Sequence, residues 1–239
     1  RKDSPEMAAM LDRFLREYGR GTLIGNVIFN RYLADAERIR CVNAGQKLDE
    51  LQEIAEVFRQ YGEEFNFDWL MLAAQGYQES ELRQDRRSPA GAVGIMQIKP
   101  STAADPNVGV NDVTTIDNNV LAGAKYLRFL ADRYFDDDGI NSLNQWLLSL
   151  AAYNAGPARV ARLRREAKDN GYDPNLWFDN VEIIAARRIG RETVTYVANI
   201  FKYFVGYQIA AERLNLRDEQ YGSVLTGCGP LSAEASSAQ

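Results

Sequence analysis

Histidine is absent from the 239 residues of this chain. Its absence excludes catalytic machinery that depends on an imidazole base, such as Ser-His-Asp and Cys-His nucleophilic sites, and it excludes most zinc sites. Acid–base chemistry must therefore fall to carboxylates, tyrosines or lysines. We accordingly expect no metal and no cofactor.

An excess of positive charge and long apolar runs are also missing. The chain has 28 Lys and Arg against 33 Asp and Glu, a formal net charge of −5. A nucleic-acid-binding surface is normally basic, so nucleic acid is excluded as the main partner. No apolar stretch reaches the length that spans a bilayer. Because the chain begins RKDSPEM, without an initiator Met or an apolar leader, we interpret it as a processed or truncated piece, in which any membrane association depends on absent segments.

Cysteine is scarce, and its two positions are informative. Cys41 and Cys228 lie far apart, flank the predicted core and do not have the spacing of metal ligands. Two unrelated buried thiols would account for them. Their positions on either side of the core favour instead a Cys41–Cys228 disulfide, formed in an oxidising compartment.

Most of the chain has the apolar spacing of amphipathic helices. Apolar residues recur at three-to-four spacing along the longest segments, and no convincing run has the alternation of a strand. The sequence therefore predicts an all-α fold. The main predicted helices are 4–18, 48–65, 115–135 and 191–214. A turn at 41–46 and the Gly-, Ser- and Ala-rich composition near the end divide the chain into a helical segment (1–45), a main domain (46–215) and a loosely ordered tail (216–239).

Glu79 is the most informative single residue. It closes a helix-like run that is apolar on almost every side, FDWLMLAAQGYQ at 67–78. Desolvation and the negative end of the helix dipole both raise the pKa of a carboxyl group in this position. A carboxylic acid that stays protonated near neutral pH is what a general acid requires, above all one that protonates a departing sugar oxygen.

Four short segments follow one another in an informative order. Each alone has an ordinary structural interpretation as a helix cap, a tight turn or a core aromatic face, but all four in this order make that interpretation improbable. They are Glu79-Ser80, GAVGIMQI at 91–98, AAYNAG at 151–156, and ETVTYV at 192–197 with NIFKY at 199–203. Together they resemble the catalytic domain of the family 1, soluble-type lytic transglycosylases, over about residues 65–205.

The resemblance implies a goose-type lysozyme-like helical fold and a set of site residues. Glu79 matches the sole catalytic acid and base of the family. Lys99 departs from the pattern, since several relatives have an apolar residue there, and this puts the subsite preference in doubt. The positions that match substrate-binding residues are Ser80, Ser88, Met96, Gln97, Tyr153, Asn154, Glu192 and Tyr196.

The resemblance also implies a mechanism with one carboxylate. Glu79 would protonate the glycosidic oxygen between N-acetylmuramic acid and N-acetylglucosamine while the substrate's N-acetyl carbonyl stabilises the sugar cation. Glu79 would then accept the proton of the 6-hydroxyl, which closes a 1,6-anhydro ring without water. Peptidoglycan would be the partner, and the periplasm, with outer-membrane association of the full-length protein, the location. Residues 1 to about 40 resemble the closing helix of a periplasmic solute-binding domain.

Two other functions remain open from the residues. A hydrolytic muramidase of goose-lysozyme type would use the same fold and glutamate, with water in place of the 6-hydroxyl. A catalytically silent peptidoglycan-binding module would belong to a different class of protein. Such a module would have no use for a buried acid, so the enzyme is favoured.

Overall fold

The computed structural model describes residues 45–220, with side-chain environments for residues 54–211. The predicted helix at 4–18, Cys41 and Cys228 lie outside the described residues. The Cys41–Cys228 disulfide and the assignment of residues 1–45 to an upstream element therefore stay predictions.

The described chain is helical, which confirms the predicted all-α class. Only two isolated β-bridges occur in residues 45–220, Arg87 with Val93 and Val93 with Ile98, and they form a tight loop instead of a sheet. None of the helices in this range is both long and apolar enough to cross a bilayer. The elements are α1 (Gly45–Glu64), α2 (Trp69–Ser80), α3 (Pro100–Ala103), α4 (Ile116–Tyr134), α5 (Ser142–Ala155), α6 (Pro157–Asp169), an irregular turn (Trp177–Val181), α7 (Glu182–Ile189) and α8 (Glu192–Gln220).

Helix α2 lies in the centre of the fold. It packs most extensively against α8 and also against α1. Its apolar residues Leu72, Ala73 and Ala74 are completely buried, which agrees with the apolar character predicted on almost every side of this run. A helix that is apolar all round must be covered by others. The carboxyl end of α2, which carries Glu79, is therefore held by the core.

A smaller apolar cluster supports the loop that follows α2. Val93, Ile98 and Val108 pack together with Ala122 of α4. Close approach is needed here, because a Cβ on Gly123 of α4 would lie 2.7 Å from the Met96 side chain. Loop 91–98 therefore lies directly against α4, and there is no space for a residue larger than glycine at position 123.

The helix boundaries agree with the predictions at one break and differ at the end of the last helix. α8 continues to Gln220, through residues 216–220 of the segment predicted as a loosely ordered tail. The predicted stop and restart at Gly156-Pro157 is confirmed, because α5 ends at Ala155 and α6 begins with Pro157. Gly190, with a φ of 83°, separates α7 from α8, since only glycine adopts that conformation readily.

Candidate active site

The Glu79 carboxyl group lies where α2, α8 and loop 83–98 meet. The Tyr196 hydroxyl of α8 donates a hydrogen bond of 2.6 Å to Glu79 Oε1. Burial raises the pKa of Glu79 from 4.5 to about 7, while the hydrogen bond from Tyr196 and the charge of Arg86 oppose this increase. The predicted effect of desolvation on this carboxyl group is thus confirmed, and Glu79 is poised to be half-protonated near neutral pH.

The ends of α2 are fixed by local sequence, and this fixes Glu79. At the amino end, the Asp68 side chain accepts a hydrogen bond of 2.9 Å from the Leu70 N–H, the usual role of an N-cap residue. At the other end, Glu81 adopts a left-handed conformation with a φ of 58°, and its N–H donates to the Gly76 and Tyr77 carbonyl groups. The helix therefore ends one residue after Glu79, at Ser80.

Ser80 joins α2 to loop 91–98. Its side chain is completely buried, and its hydroxyl lies 2.9 Å from the Ile95 carbonyl oxygen, to which it donates. The Ser80 Oγ in turn accepts a hydrogen bond of 3.0 Å from the Arg83 N–H. Ser80 has no exposed surface with which to contact a sugar, so the structure places it as a support for the loop beside Glu79.

Asn119 of α4 holds loop 91–98 by its backbone. The completely buried Asn119 side chain accepts from the Met96 N–H at 2.8 Å and donates to the Val93 carbonyl at 2.9 Å. Gly94, with a φ of 76°, passes so close that an added Cβ would lie 2.4 Å from the Asn119 amide. This loop is therefore shaped by a buried amide as well as by its own turns.

Tyr153 of α5 is the next side chain around the acid. Its hydroxyl donates a hydrogen bond of 2.8 Å to the Met96 carbonyl oxygen, and its ring lies 5.3 Å from the ring of Tyr126. Burial is the main cause that raises the pKa of Tyr153 well above 10, and the charge of Glu79 adds to it. The Met96 side chain itself is completely buried, so Met96 offers its carbonyl group and not its thioether to this site.

The Tyr196 phenol is held neutral by the same causes. Burial and the nearby charge of Glu79 raise the pKa of Tyr196 well above 10. A neutral phenol beside a carboxyl group is a hydrogen-bond donor and not a second base. Tyr153 and Tyr196 therefore make the site polar without adding charge to it.

The remaining residues predicted for the site lie around these groups. Asn154 is exposed, and its Oδ1 accepts a hydrogen bond of 2.7 Å from the Thr193 hydroxyl, which joins the end of α5 to the start of α8. Glu192 is exposed at the first position of α8. The AAYNAG and ETVTYV segments are thus brought together.

Ser88 and Gln97 both stabilise the loop through its backbone. The Ser88 hydroxyl accepts a hydrogen bond of 2.9 Å from the Ala92 N–H. The Gln97 amide donates to the Gly94 carbonyl at 2.8 Å, and Gln97 has a positive φ of 44°. Both side chains are partly exposed, so they keep surface that a ligand can reach.

Glu81 and Asp85 are the nearest carboxyl groups in sequence that could act as a partner for Glu79, and neither is placed to do so. Glu81 is exposed beyond the helix end. Asp85 forms an ion pair of 3.2 Å with Arg83, and hydrogen bonding to Arg83 lowers the pKa of Asp85. Within the described part of the chain, no group of three or more Asp, Glu, Cys or His side chains is placed to bind a metal ion. The arrangement is thus one acid in contact with a neutral phenol, with Arg86 as the nearby charge that acts on its pKa.

Three residues of this arrangement were missed by reasoning from the sequence. Asn119, Thr193 and Arg86 each act through a contact or field that joins distant segments. Asn119 had a usable signal, because it is a polar residue on the buried face of an amphipathic helix. Arg86 and Thr193 had none beyond their closeness to matched motifs.

Comparison with known proteins gives a consistent result. The model of the Transglycosylase SLT domain family matches residues 56–176. Membrane-bound lytic murein transglycosylase F 1 of Alkalilimnicola ehrlichii is 31% identical over 83% of this chain and 39% of its own length. Membrane-bound lytic murein transglycosylase F of Vibrio parahaemolyticus is also 31% identical, over 85% of this chain and 37% of its own length.

One solved structure supports the same fold. An inactive mutant of the lytic transglycosylase Slt from Pseudomonas aeruginosa has a TM-score of 0.51 and 25% sequence identity, covering 79% of this chain and 30% of the other. The chain spans less than half the length of each of these relatives.

Proposed function

This chain belongs to the Transglycosylase SLT domain family, and from that membership we propose that it is a peptidoglycan lytic transglycosylase. It cleaves the β-1,4 bond between N-acetylmuramic acid and N-acetylglucosamine and leaves a 1,6-anhydro sugar. The relatives reported above are named as lytic murein transglycosylases. The observation that carries the proposal is the partly buried carboxyl group of Glu79, whose pKa is about 7.

A single carboxyl group with that pKa suits a reaction in which it acts twice. In the first step, protonated Glu79 gives its proton to the glycosidic oxygen, and the bond to the anomeric carbon breaks. The N-acetyl carbonyl of the substrate stabilises the resulting cation. In the second step, the Glu79 carboxylate accepts the proton of the 6-hydroxyl as that oxygen bonds to the anomeric carbon. The nucleophile belongs to the substrate, which gives it the advantage of proximity.

Tyr196 determines which carboxyl oxygen carries the proton. Its hydroxyl donates to Glu79 Oε1 at 2.6 Å. An oxygen that accepts this bond is the better carbonyl oxygen, so the acidic proton is favoured on Oε2. Tyr196 is therefore proposed to orient the proton toward the substrate, in addition to any contact with the sugar.

The other site residues divide into sugar contacts and supports. Tyr153, Asn154 and Gln97 keep exposed surface and are proposed to orient the N-acetyl group and the sugar ring. Ser88 and Glu192 are proposed as outer contacts. Ser80 and Met96 are proposed to act through the backbone of loop 91–98. We further propose that the protein works in the periplasm and that segments outside residues 45–220 associate it with the outer membrane.

The test is the mass of the sugars released from purified cell-wall sacculi. We expect muropeptides that end in an anhydro sugar, lighter by one water than the products of hydrolysis. Glu79→Gln should abolish release while the circular dichroism spectrum and the binding of sacculi stay unchanged. Hydrated products would identify a goose-type muramidase instead. Binding of sacculi without any released sugar would identify a non-catalytic module.

A further inference from the structure

Gln75 is a buried amide with no role in the proposed mechanism. It lies in the middle of α2 and is completely buried. Neither its Nε2 nor its Oε1 has a protein partner within hydrogen-bonding geometry in the described part of the chain. An unsatisfied buried amide costs stability, so its presence in a helix that is otherwise apolar needs a reason.

The position of Gln75 supplies that reason. Residues four apart lie on the same face of a helix, so Gln75 is one turn before Glu79. Tyr196, which donates to Glu79, lies on the facing helix α8. Gln75 is close enough to the Tyr196 hydroxyl to lower the pKa of that phenol, against the larger effects of burial and of Glu79. The amide, the phenol and the carboxyl group thus follow one another in space.

The hydrogen-bond inventory of the phenol indicates what the amide does. A phenolic hydroxyl donates one hydrogen bond and can accept others. When its hydrogen is given to Glu79, its oxygen can accept one from a neighbouring N–H group. We propose that Gln75 is a positioning residue whose Nε2–H donates to Tyr196 Oη and thereby commits the phenolic hydrogen to Glu79 Oε1.

This proposal rests on the proposed function and adds a direction to it. In this series of hydrogen bonds, the Gln75 N–H donates to the Tyr196 oxygen and the Tyr196 O–H donates to Glu79 Oε1. The transferable proton therefore stays on Glu79 Oε2. Without the amide, the phenol is free to rotate and to accept the proton of Glu79 instead. The proposed bond needs a shift of the Gln75 side chain from the described geometry, in which neither of its polar atoms has a partner.

The first test is Gln75→Met, which keeps the length of the side chain and removes the amide. We expect kcat on sacculi to fall about five- to tenfold with KM unchanged, since one supporting hydrogen bond is lost. Less donation to Glu79 raises the pKa of that carboxyl group, so the basic limb of the pH profile moves to higher pH. The melting temperature should stay the same or rise, because a costly buried amide is removed.

A double-mutant cycle with Tyr196→Phe makes the test specific. If Gln75 acts through the phenol, Gln75→Met should have no further effect on kcat or on the pH profile once the hydroxyl is gone. An equal loss in both backgrounds would overturn the proposal, and so would a wild-type pH profile in Gln75→Met. Gln75→Leu should give the same result and serves if the Met variant folds poorly.

A control variant and a direct measurement test the role of Gln75 separately from the proposed function. Trp146→Phe removes another buried N–H group without a partner, and it should change stability but not the pH profile. The pKa of Glu79, measured by carbon NMR with labelled glutamate, should rise in Gln75→Met and stay constant in Trp146→Phe. This measurement needs no turnover, so it decides the role of Gln75 even if the wild-type protein releases no anhydro sugar.

Discussion

Tyr196→Phe is the most direct perturbation of the candidate acid. It removes the hydroxyl that donates to Glu79 Oε1 at 2.6 Å and keeps the buried ring. In the structure, this bond favours the ionised carboxylate and lowers the pKa of Glu79, while burial raises it. The variant loses the hydrogen bond, which lowers the pKa of Glu79, and keeps the burial, which raises it. The pKa of Glu79 must therefore increase.

The magnitude follows from the strength of the bond. A hydrogen bond to a charged group contributes about 1.5–3 kcal/mol, and about 1.4 kcal/mol changes a pKa by one. The pKa of Glu79 should therefore rise from about 7 to between about 8 and 9. Because the first step of the proposed mechanism needs protonated Glu79, we expect activity to be lost as the pH rises through this pKa. The basic limb of the pH profile should move upward by the same amount.

The assay is the initial rate of sugar release from sacculi between about pH 5 and pH 10, accompanied by an NMR titration of Glu79. At the optimum, kcat should fall at least tenfold, since Tyr196 no longer directs the proton to Oε2. Tyr203→Phe is the matched control, because Tyr203 is a buried tyrosine of α8 whose ring packs 4.7 Å from that of Tyr77. A basic limb that stays in place in Tyr196→Phe would refute the assigned hydrogen bond.

Three further predictions test the surroundings of Glu79. Glu79→Gln should increase the free energy of unfolding at pH 8 by about 3 kcal/mol, because the Glu79 carboxyl group has a pKa of about 7 in the folded protein and 4.5 ordinarily. In chemical denaturation, this stabilisation should grow as the pH rises from 4.5 to about 7 and vanish below about pH 4. No stabilisation at pH 8 would contradict the burial of the acid. Arg86→Gln should raise the pKa of Glu79 by about 0.5 at low salt, with the difference from wild type disappearing in high salt; an equal difference at both salt concentrations would exclude an effect of charge. Ser80→Ala should destabilise the protein by about 1–3 kcal/mol, because it removes the bonds to Ile95 and Arg83, and an unchanged melting temperature would show that loop 91–98 does not depend on them.

The predictable part of this protein is the part determined by neighbours in sequence. Three-to-four apolar spacing predicted α4 as 115–135, against the observed Ile116–Tyr134. Gly156-Pro157 predicted the break between α5 and α6, because glycine and proline act on the backbone at their own positions. Apolar surroundings along 67–78 predicted a buried acid with a raised pKa, and the structure confirms that burial is the main cause.

The unpredictable part depends on contacts between distant segments. Tyr196 lies 117 positions after Glu79, and its hydrogen bond to that residue depends on how α8 packs against α2. Ser80 and Met96 matched sugar-binding positions by motif, but the depth of loop 91–98 over α4 buries both side chains. The burial of a side chain depends on how its segment packs against the rest of the fold. No pattern in the GAVGIMQI segment itself therefore distinguishes an exposed methionine from a buried one.

The balance of effects on Glu79 is what the proposed mechanism with one carboxyl group requires. Burial alone would give a stronger increase in pKa than is found, since Tyr196 and Arg86 both act against it. A much higher pKa would make Glu79 slow to release its proton to the glycosidic oxygen, and an ordinary pKa would leave it ionised before the reaction starts. A value near 7 makes the two protonation states comparable in free energy at neutral pH. A group that must donate a proton in one step and accept one in the next needs that equality, whereas a pair of carboxyl groups divides the two roles between different pKa values.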